Sequence, residues 1–405
     1  MSGKVSPFAS DFPVIPNVSG VELFSACSGM RYKKDDVLFV RFAKNTSVAG
    51  VFTKNSMPGE PVVWCKNILH NGKASALVVN SGYSNVFCGA KGIETINKTT
   101  SKINEIYNFP KEEIYIASTG IIGQPINDKL LLEALESKLK PCDWQNACVA
   151  INTTDTFNKA IYKTAKIGER EVKIVGIIKG SGMIAPDMAT MLGFIFTDAN
   201  IPANILQELM SEVTLDTYNS ITVDSDTSTS DTILAFATNQ AGNEEIEDIN
   251  SKNFSDFREK FFEVNLELAK LVVRDGEGIS KFVTIEITGA KDNNSARKIA
   301  LAVANSPLVK TAIAGQDANW GRIIGAIGKC GEPANRDKTS IWIGNLQPAL
   351  NGQLNPNYSE KEASLYMKNS EINIKAEIGV GQGVAKVYTT DLTHGYIEIN
   401  ADYRS

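Results

Sequence analysis

The segment with the clearest chemical potential is residues 179–196, which read KGSGMIAPDMATMLGFIF. Two apolar runs flank a joint rich in glycine and proline, and the second run opens with Ala189 and Thr190. The hydroxyl oxygen of a threonine that follows a small residue at a tight bend can attack the preceding carbonyl carbon. Hydrolysis of the resulting ester would cut the chain and leave Thr190 as a new N-terminus.

A threonine at a chain N-terminus carries a nucleophile and a base in one residue. Its α-amine, with an ordinary pKa of about 8, can take the hydroxyl proton and so activate the oxygen without a histidine. The chain has two histidines, His70 and His394, so a Ser-His-Asp or Cys-His arrangement has few residues from which to form. The pattern alone still favours an ordinary strand-loop-strand at this position.

A second candidate for acyl chemistry follows residues 113–117 (EIYIA), which are typical of a strand. The next residues, Ser118, Thr119 and Gly120, predict a strand-ending turn. Such a turn can also offer a hydroxyl and a backbone N–H to a tetrahedral oxygen. The plain turn is the simpler interpretation from the pattern alone.

Two further patterns predict structure rather than chemistry. Residues 379–383 (GVGQG) lie between β-like runs and lack the spacing of a phosphate-binding loop, so they favour a hairpin turn. The carboxylates of Asp224, Asp226 and Asp231 could bind a hard cation. Short polar residues in such a run are more typical of turns and caps, and we predict no metal site.

Short β-like runs alternate with amphipathic segments along the chain, which predicts a mixed α/β fold. Apolar residues at positions 257, 261, 264, 268 and 271 follow the spacing of one helical face and predict a helix over residues 254–274. Residues 127–140 and 202–218 predict further helices. The C-terminal part is richer in β signals, among them residues 396–400 (YIEIN), and predicts a smaller α/β domain.

Composition narrows the function classes. The 405 residues include 41 Lys and Arg and 46 Asp and Glu, for a formal net charge of −5, which argues against nucleic-acid binding because phosphate neutralisation needs a basic surface. No run reaches the roughly 18 apolar residues of a membrane helix. The six cysteines contain no CxxC pair, which favours free thiols. We therefore expect a cytoplasmic protein without nucleic-acid or membrane partners.

A series of segments matches, in order and over nearly the whole chain, the motifs of one family. They are AGVFTKN (49–55), NSGYSNVFCG (80–89), STGIIG (118–123), NTTDTF (152–157), KGSGMIAPDMATMLGFIFTDA (179–199), ITVDSDTSTSDT (221–232), RDGEG (274–278), DANWGRI (317–323) and NADYRS (400–405). The chain thus resembles the ornithine acetyltransferase family, also called glutamate N-acetyltransferase, of arginine biosynthesis. Tyr83 and Ser84 depart from the family's usual NSGNAN run, and Ser230 stands where the family more often has Asn.

The resemblance implies roles for individual residues. Thr190 would be the nucleophile, the Ala189–Thr190 bond the cleavage site, and Thr119 with Gly120 the oxyanion pair. A cation suits the α-carboxylate of an amino-acid substrate, and an acidic residue suits the ammonium of ornithine. The implied substrate-binding residues are Thr153 or Thr154, between which the sequence does not decide, Lys179, Thr190, Glu277, Asn400 and Ser405.

The implied reaction is a ping-pong transfer of acetyl from N2-acetyl-L-ornithine to L-glutamate through an acetyl-Thr190 ester. It requires no metal and no organic cofactor. Some family members also accept acetyl-CoA as donor, and no residue decides this here. Two alternatives stay open: a self-processed amidase or aminopeptidase that uses water as acceptor, and an amino-acid-binding protein without catalytic activity.

The resemblance also implies a division of the chain. Residues 1–189 would form an α chain and residues 190–405 a β chain, paired as an α2β2 heterotetramer. About residues 190–285 would complete a core like that of self-cleaving aminopeptidases and ornithine acetyltransferases. About residues 286–405 would form the smaller C-terminal α/β domain.

Overall fold

A computed structural model describes residues 5–185 and 191–402. Over these ranges two β-sheets combine with α-helices, which confirms the mixed α/β fold. The helices are α1 (Glu60–Ile68), α2 (Ala90–Tyr107), α3 (Asp128–Glu133), α4 (Trp144–Ile151), α5 (Ala203–Asp216), α6 (Ser255–Arg274), α7 (Asn293–Ala304), α8 (Pro307–Ala314), α9 (Trp320–Lys329), α10 (Glu360–Tyr366) and α11 (His394–Asp402). No helix in the described ranges has the length and apolar character to cross a membrane.

The larger sheet has nine strands. They are β1 (Val21–Ala26), β2 (Val37–Phe52), β3 (Lys73–Tyr83), β4 (Ile114–Ile121), β5 (Lys140–Pro141), β6 (Lys159–Ile167), β7 (Arg170–Lys179), β8 (Leu192–Thr197) and β9 (Thr232–Ala237). Seven lie in the order β4-β3-β2-β9-β8-β7-β6, while β1 pairs with β2 and β5. The β3–β4 and β8–β9 pairs are parallel.

The larger sheet folds over at β2, so that its two halves face each other. The ring of Tyr115 on β4 lies 6.2 Å from that of Phe236 on β9, although β3 and β2 separate these strands in the sheet order. Neighbouring strands are about 4.8 Å apart, so a flat sheet would keep these rings much farther from each other. Phe42, beside the register shift between Arg41 and Thr46 of β2, stacks on Phe236 with centroids 4.4 Å apart.

Side-chain alternation along β9 separates two layers of the core. Ile233 and Ala235 join the core shared with α5 and α6, whereas Leu234 and Phe236 join the core between the sheet halves. This follows because successive strand residues point to opposite faces. On the other outer face, α2 and α3 pack against β3 and β4. The order of layers is therefore helices, sheet, sheet and helices.

The second sheet follows α6 in the chain. It contains β10 (Phe282–Ala290), β11 (Ser340–Ile343), β12 (Leu346–Leu350), β13 (Gln353–Leu354), β14 (Glu371–Glu377) and β15 (Gly383–Thr390). Their order is β13-β12-β11-β14-β10-β15, and α7, α8, α9 and α10 contribute to a separate core on it. The predicted division of the chain at residue 189 and near residue 285 stays a prediction.

The helix predicted over residues 254–274 is confirmed as α6. Phe257, Phe261, Val264 and Leu268 on its periodic face are fully buried. Because this face packs against β6 and β7, the helix covers the outer face of the sheet. Residues 275–278 follow directly after its C-terminal end.

Three local predictions are wrong, because contacts distant in sequence override the local pattern. No turn forms at Thr119 and Gly120, since β4 continues past them in parallel pairing with β3. Residues 379–383 form no hairpin, because β14 and β15 flank β10 on opposite sides and do not pair with each other. Residues 396–400 lie in α11 rather than in a strand.

Candidate active site

A cavity of about 260 Å³ lies where the ends of β4 and β7 meet the loop before β9 and helix α11. Ala189, Thr190 and Ser405 lie outside the described residues. A separate groove of about 360 Å³ between α5 and α6 is lined by none of the residues predicted for the site. The 260 Å³ cavity is lined by Thr119, Gly120, Thr153, Thr154, Lys179, Glu277 and Asn400, which are all the predicted site residues that the structure describes.

The backbones of β3 and β4 come very close at the wall of the cavity. Gly120 has a φ of +128°, where residues with a side chain are strained. A Cβ at this position would lie 2.2 Å from the carbonyl carbon of Gly82. The site therefore needs glycine at position 120, and glycine leaves the backbone of β4 uncovered beside Thr119.

Thr119 and Lys179 form a buried hydrogen bond at the end of their strands. Each residue is 3% exposed, and Lys179 Nζ donates to Thr119 Oγ1 over 3.2 Å. An ammonium group has no acceptor, so the Thr119 hydroxyl must accept this bond. Its own hydrogen remains available to a different acceptor, and contact with a cation makes that hydrogen a stronger donor.

The charge of Lys179 depends on opposing effects. Burial lowers the pKa of its ammonium, and the carboxylate of Asp155 opposes that shift. Asp155 in turn accepts from the N–H of Gly180 over 2.7 Å. The lysine at the end of β7 is thus removed from water, with the carboxylate of Asp155 near it.

Glu277 lies against the Gly-rich loop that follows β7. A Cβ at Gly182 would come within 2.4 Å of Glu277 Oε2, so the carboxylate lies where only glycine leaves room. Asn400 Nδ2 donates to the same oxygen over 2.8 Å. Burial raises the pKa of Glu277, while hydrogen bonds from Asn400 and Thr154 lower it. The cavity is therefore lined by both a lysine ammonium and a carboxyl group.

Helix α11 reaches the cavity because two glycines allow close backbone contact. Gly278 has a φ of +70°, and a Cβ there would lie 2.4 Å from the carbonyl carbon of Gly395. The hydroxyl of Thr393 donates to the carbonyl oxygen of Gly278 over 2.5 Å. These contacts bring Asn400 to Glu277, an approach that the alternating pattern of residues 396–400 does not indicate.

Thr153 and Thr154 follow α4 and both line the cavity. The backbone N–H of Thr153 donates to Asp155 Oδ2 over 3.0 Å. The hydroxyl of Thr154 forms a hydrogen bond of 2.7 Å with that of Ser181. The geometry accommodates either threonine as a substrate ligand.

Met191, the residue bonded to Thr190, is held at the same end of β7. Its N–H donates to Asp231 Oδ1 over 3.0 Å, and its carbonyl oxygen accepts from the N–H of Thr232 over 3.1 Å. The next residue, Leu192, pairs with Lys179. Asp231 is fully buried, and burial raises the pKa of its carboxyl well above the usual range.

Asp224 and Tyr396 also line the cavity. Asp224 accepts from the N–H groups of Met183 and Ile184 over 2.6 and 2.8 Å and so fixes the Gly-rich loop. The hydroxyl of Tyr396 donates to Asp224 over 3.4 Å. No sequence signal marks Tyr396, and the turns and caps predicted for the run around Asp224 do not indicate its contacts with Met183 and Ile184. The described residues include no cluster of His, Cys, Asp and Glu suited to a metal ion.

Comparison with known proteins gives a consistent result. The family model described as ArgJ family matches residues 22–405. The arginine biosynthesis bifunctional protein ArgJ of Mesorhizobium japonicum is 50% identical, with 100% of both chains covered. The protein of the same name from Gluconobacter oxydans is 47% identical over 99% of this chain and 96% of its own.

A solved structure matches part of the chain. The crystal structure of the arginine biosynthesis bifunctional protein argJ from Bacillus halodurans aligns with a TM-score of 0.50 and 39% identity. The match covers 52% of this chain and 98% of the crystallised chain. The crystallised chain thus corresponds to about half of the present one.

Proposed function

Because the chain belongs to the ArgJ family, we propose that it is an acetyltransferase of arginine biosynthesis that moves acetyl from N2-acetyl-L-ornithine to L-glutamate. The observation that carries the proposal is the shared cavity: every residue that was selected from a separate motif and that the structure describes lines it. The match to the Mesorhizobium japonicum relative covers the whole of both chains, so no part of the site falls outside it.

Thr190 is the proposed nucleophile, after cleavage of the Ala189–Thr190 bond. Its neighbour Met191 is anchored by Asp231 and lies one residue from the partner of Lys179, which supports a place for Thr190 near the cavity. The half-length match to the crystallised chain also supports a cut near the middle. The proposed products, residues 1–189 and 190–405, would assemble as α2β2.

In the first half-reaction, the Thr190 hydroxyl oxygen attacks the acetyl carbonyl carbon and its proton passes to the Thr190 α-amine. The carbonyl oxygen becomes negatively charged and is stabilised by the Thr119 hydroxyl and the Gly120 N–H. When the C–N bond breaks, the α-ammonium returns the proton to the departing ornithine nitrogen. An acetyl-Thr190 ester remains.

The second half-reaction repeats these steps with glutamate in the same cavity. Its amine attacks the ester carbonyl carbon, the negative charge forms again beside Thr119 and Gly120, and the C–O bond to Thr190 breaks. The proton released by the glutamate amine passes through the Thr190 α-amine to the Thr190 oxygen, which becomes a hydroxyl again, and N-acetylglutamate departs. One cavity serves both substrates because both have the α-carboxylate and α-nitrogen of an amino acid.

Recognition follows from the charges on the cavity walls. We assign the α-carboxylate of either substrate to Lys179 and the δ-ammonium of N2-acetylornithine to Glu277. Asn400 would orient Glu277 through the hydrogen bond between them. Thr153 or Thr154 and the C-terminal Ser405 complete the proposed substrate ligands.

The test is an assay of purified protein with N2-acetylornithine, in which N-acetylglutamate and free acetate are measured with and without glutamate. Acetyl transfer should dominate when glutamate is present. Free acetate as the main product under both conditions would identify a hydrolase instead. Acetyl-CoA belongs in the same assay as a second donor, because the relatives are named bifunctional and we propose N-acetylglutamate synthesis as the second activity.

Replacing Glu277 with Gln should raise the KM for N2-acetylornithine at least tenfold and leave self-cleavage intact. A neutral amide can still bond to Asn400 but gives no charge to pair with the substrate ammonium. Steady-state kinetics and a denaturing gel measure the two effects. Glu286→Gln is a matched control on the second sheet, where the carboxylate pairs with Lys386. An unchanged KM would remove Glu277 from the substrate site.

A further inference from the structure

A fully buried lysine lies behind the cavity between two aspartates. Lys159 Nζ is 2.6 Å from Asp155 Oδ1 and 2.5 Å from Asp275 Oδ2, and the side chains of Lys159, Asp155 and Asp275 are 0% exposed in these pairs. We call these three residues the Lys159 cluster. Buried charges are costly unless every one is paired and hydrogen-bonded, so a cluster of this kind needs an explanation beyond general stability.

The Lys159 cluster holds three separate segments that line the cavity. Asp155 accepts from the N–H of Thr153 over 3.0 Å and from that of Gly180 over 2.7 Å. Through these bonds it fixes the turn that carries Thr153 and Thr154 and the residue next to Lys179. Lys159 connects Asp155 to the third segment.

That third segment begins at Asp275, two residues before Glu277. Asp275 Oδ2 also accepts from the N–H of Thr156 over 2.9 Å, and its Oδ1 accepts from the Thr156 hydroxyl. The N–H of Glu277 then donates to the carbonyl oxygen of Ser181 over 3.0 Å. Thr153, Thr154 and Glu277 are thus within two residues of a carboxylate paired with Lys159. Lys179 precedes Gly180, whose N–H is bound by one of these carboxylates.

The charges of the cluster also act on Lys179. With both carboxyls ionised, two negative charges face the single positive charge of Lys159, which leaves one negative charge for Lys179 to balance. Burial lowers the pKa of Lys179, Asp155 raises it, Lys159 lowers it, and Glu277 and Asp231 raise it. Lys34 is a further cation in this region, and Lys179 lowers its pKa.

We propose that Lys159 is a positioning residue for acetyl transfer: with Asp155 and Asp275 it sets the arrangement of the three ligand segments, and Asp155 holds a carboxylate at Gly180, next to Lys179. This inference rests on the proposed function, because it concerns the same substrates in the same cavity. It assigns a task to residues that are not among the proposed substrate ligands or the proposed oxyanion pair.

Two double variants test the inference as a matched pair: Lys159→Met with Asp275→Asn, and Lys159→Met with Asp155→Asn. Each removes one buried cation and one buried anion, so the net charge stays that of the wild type. We expect both to lower kcat/KM for N2-acetylornithine at least tenfold, because the ammonium no longer connects the segments. They differ in whether a carboxylate remains beside Lys179.

The pH dependence of kcat/KM distinguishes a role of the Lys159 cluster in positioning the ligands and charging Lys179 from a general loss of structure in the variants. A buried lysine with a lowered pKa loses its proton as pH rises, so kcat/KM should fall on the alkaline side. Without Asp155 that fall should begin about one pH unit lower. With Asp155 kept and Asp275 replaced, it should begin at the wild-type pH or above. Profiles between pH 6 and pH 10 measure the difference, after a denaturing gel has shown two fragments.

Lys281→Met is the control for loss of a buried ammonium. Lys281 is 4% exposed, and its ammonium donates to the carbonyl oxygen of Asn369 over 2.7 Å. Burial lowers the pKa of Lys281, and the carboxylate of Asp391 raises it. We expect a lower melting temperature with the wild-type alkaline profile. If either double variant does not fold, the single Asp155→Asn variant decides the question, since its alkaline fall must also move to lower pH.

Several outcomes would overturn the inference while leaving the proposed function in place. One is an active wild type whose double variants share its kcat/KM and pH profile. Another is a pair of double variants with the same alkaline fall. An inactive wild type, or acetate release without transfer, would instead overturn the proposed function itself.

Discussion

A Thr190→Ala variant should stay one uncut chain of 405 residues and should lose acetyl transfer by at least about 10⁴-fold. The proposed chemistry needs the same hydroxyl twice. It first attacks the Ala189 carbonyl carbon to cut the chain, and it then accepts the acetyl group. Alanine supplies no nucleophile for either step, so both losses should appear together. A denaturing gel with mass spectrometry measures cleavage, and formation of N-acetylglutamate measures transfer.

Thr190→Ser separates the hydroxyl from the rest of the side chain. Serine keeps the nucleophile and the α-amine, so this variant should still cut itself and transfer acetyl, though more slowly. Mass spectrometry of wild-type protein incubated with N2-acetylornithine alone should find one added acetyl group on the fragment that begins with Thr190. Active wild type in one unbroken chain, or acetyl on another side chain, would contradict the mechanism.

The parts of the fold that the sequence predicts well are those with a strong local period. The apolar face of α6 repeats over about four turns, and the helix begins within one residue of its predicted start. The strand predicted at residues 113–117 is also present, but it begins at Ile114 and forms part of the longer β4. Its length depends on parallel pairing with β3, which is not a property of the local sequence.

The YIEIN run in α11 shows why a local period can mislead. Residues 396–400 alternate as a half-buried strand would, yet the segment is a helix that packs through Gly278 and Gly395. The contacts that select the helix come from residues more than a hundred positions earlier in the chain. A pattern over five residues has no information about such a partner.

The residues of the candidate site also divide into those that local motifs indicate and those that only contacts distant in sequence reveal. Motifs select Thr119, Lys179 and Glu277 without any structure, because each stands in a run that resembles a known family. Asp155 and Asp275 also lie inside matched motifs, but nothing in the sequence marks Lys159 as the partner of both, since Lys159 and Asp275 are 116 residues apart. An isolated Lys or Asp in a sequence is most simply a solvated surface charge, and burial between two partners becomes visible only in three dimensions.

A Thr119→Val variant should lower kcat by about 10²–10³-fold with a much smaller change in KM. Valine has nearly the shape of threonine but no hydroxyl, so it removes one of the two proposed donors to the negative oxygen and leaves the Gly120 N–H. That charge exists only in the transition state and the tetrahedral intermediate, so substrate binding should change little. Steady-state kinetics for N2-acetylornithine and glutamate measure the separation of kcat from KM.

The control for Thr119→Val must account for Lys179, whose ammonium donates to the Thr119 hydroxyl over 3.2 Å. Valine leaves that buried cation without its acceptor, which costs stability, so melting temperatures accompany the kinetics. Thr119→Ser keeps an oxygen that can accept from Lys179 and donate into the cavity, and it should retain most of the rate. Because serine keeps the hydroxyl of Thr119 and valine keeps its branched shape, equal rates for the two variants would assign the stabilisation of the oxyanion to another donor.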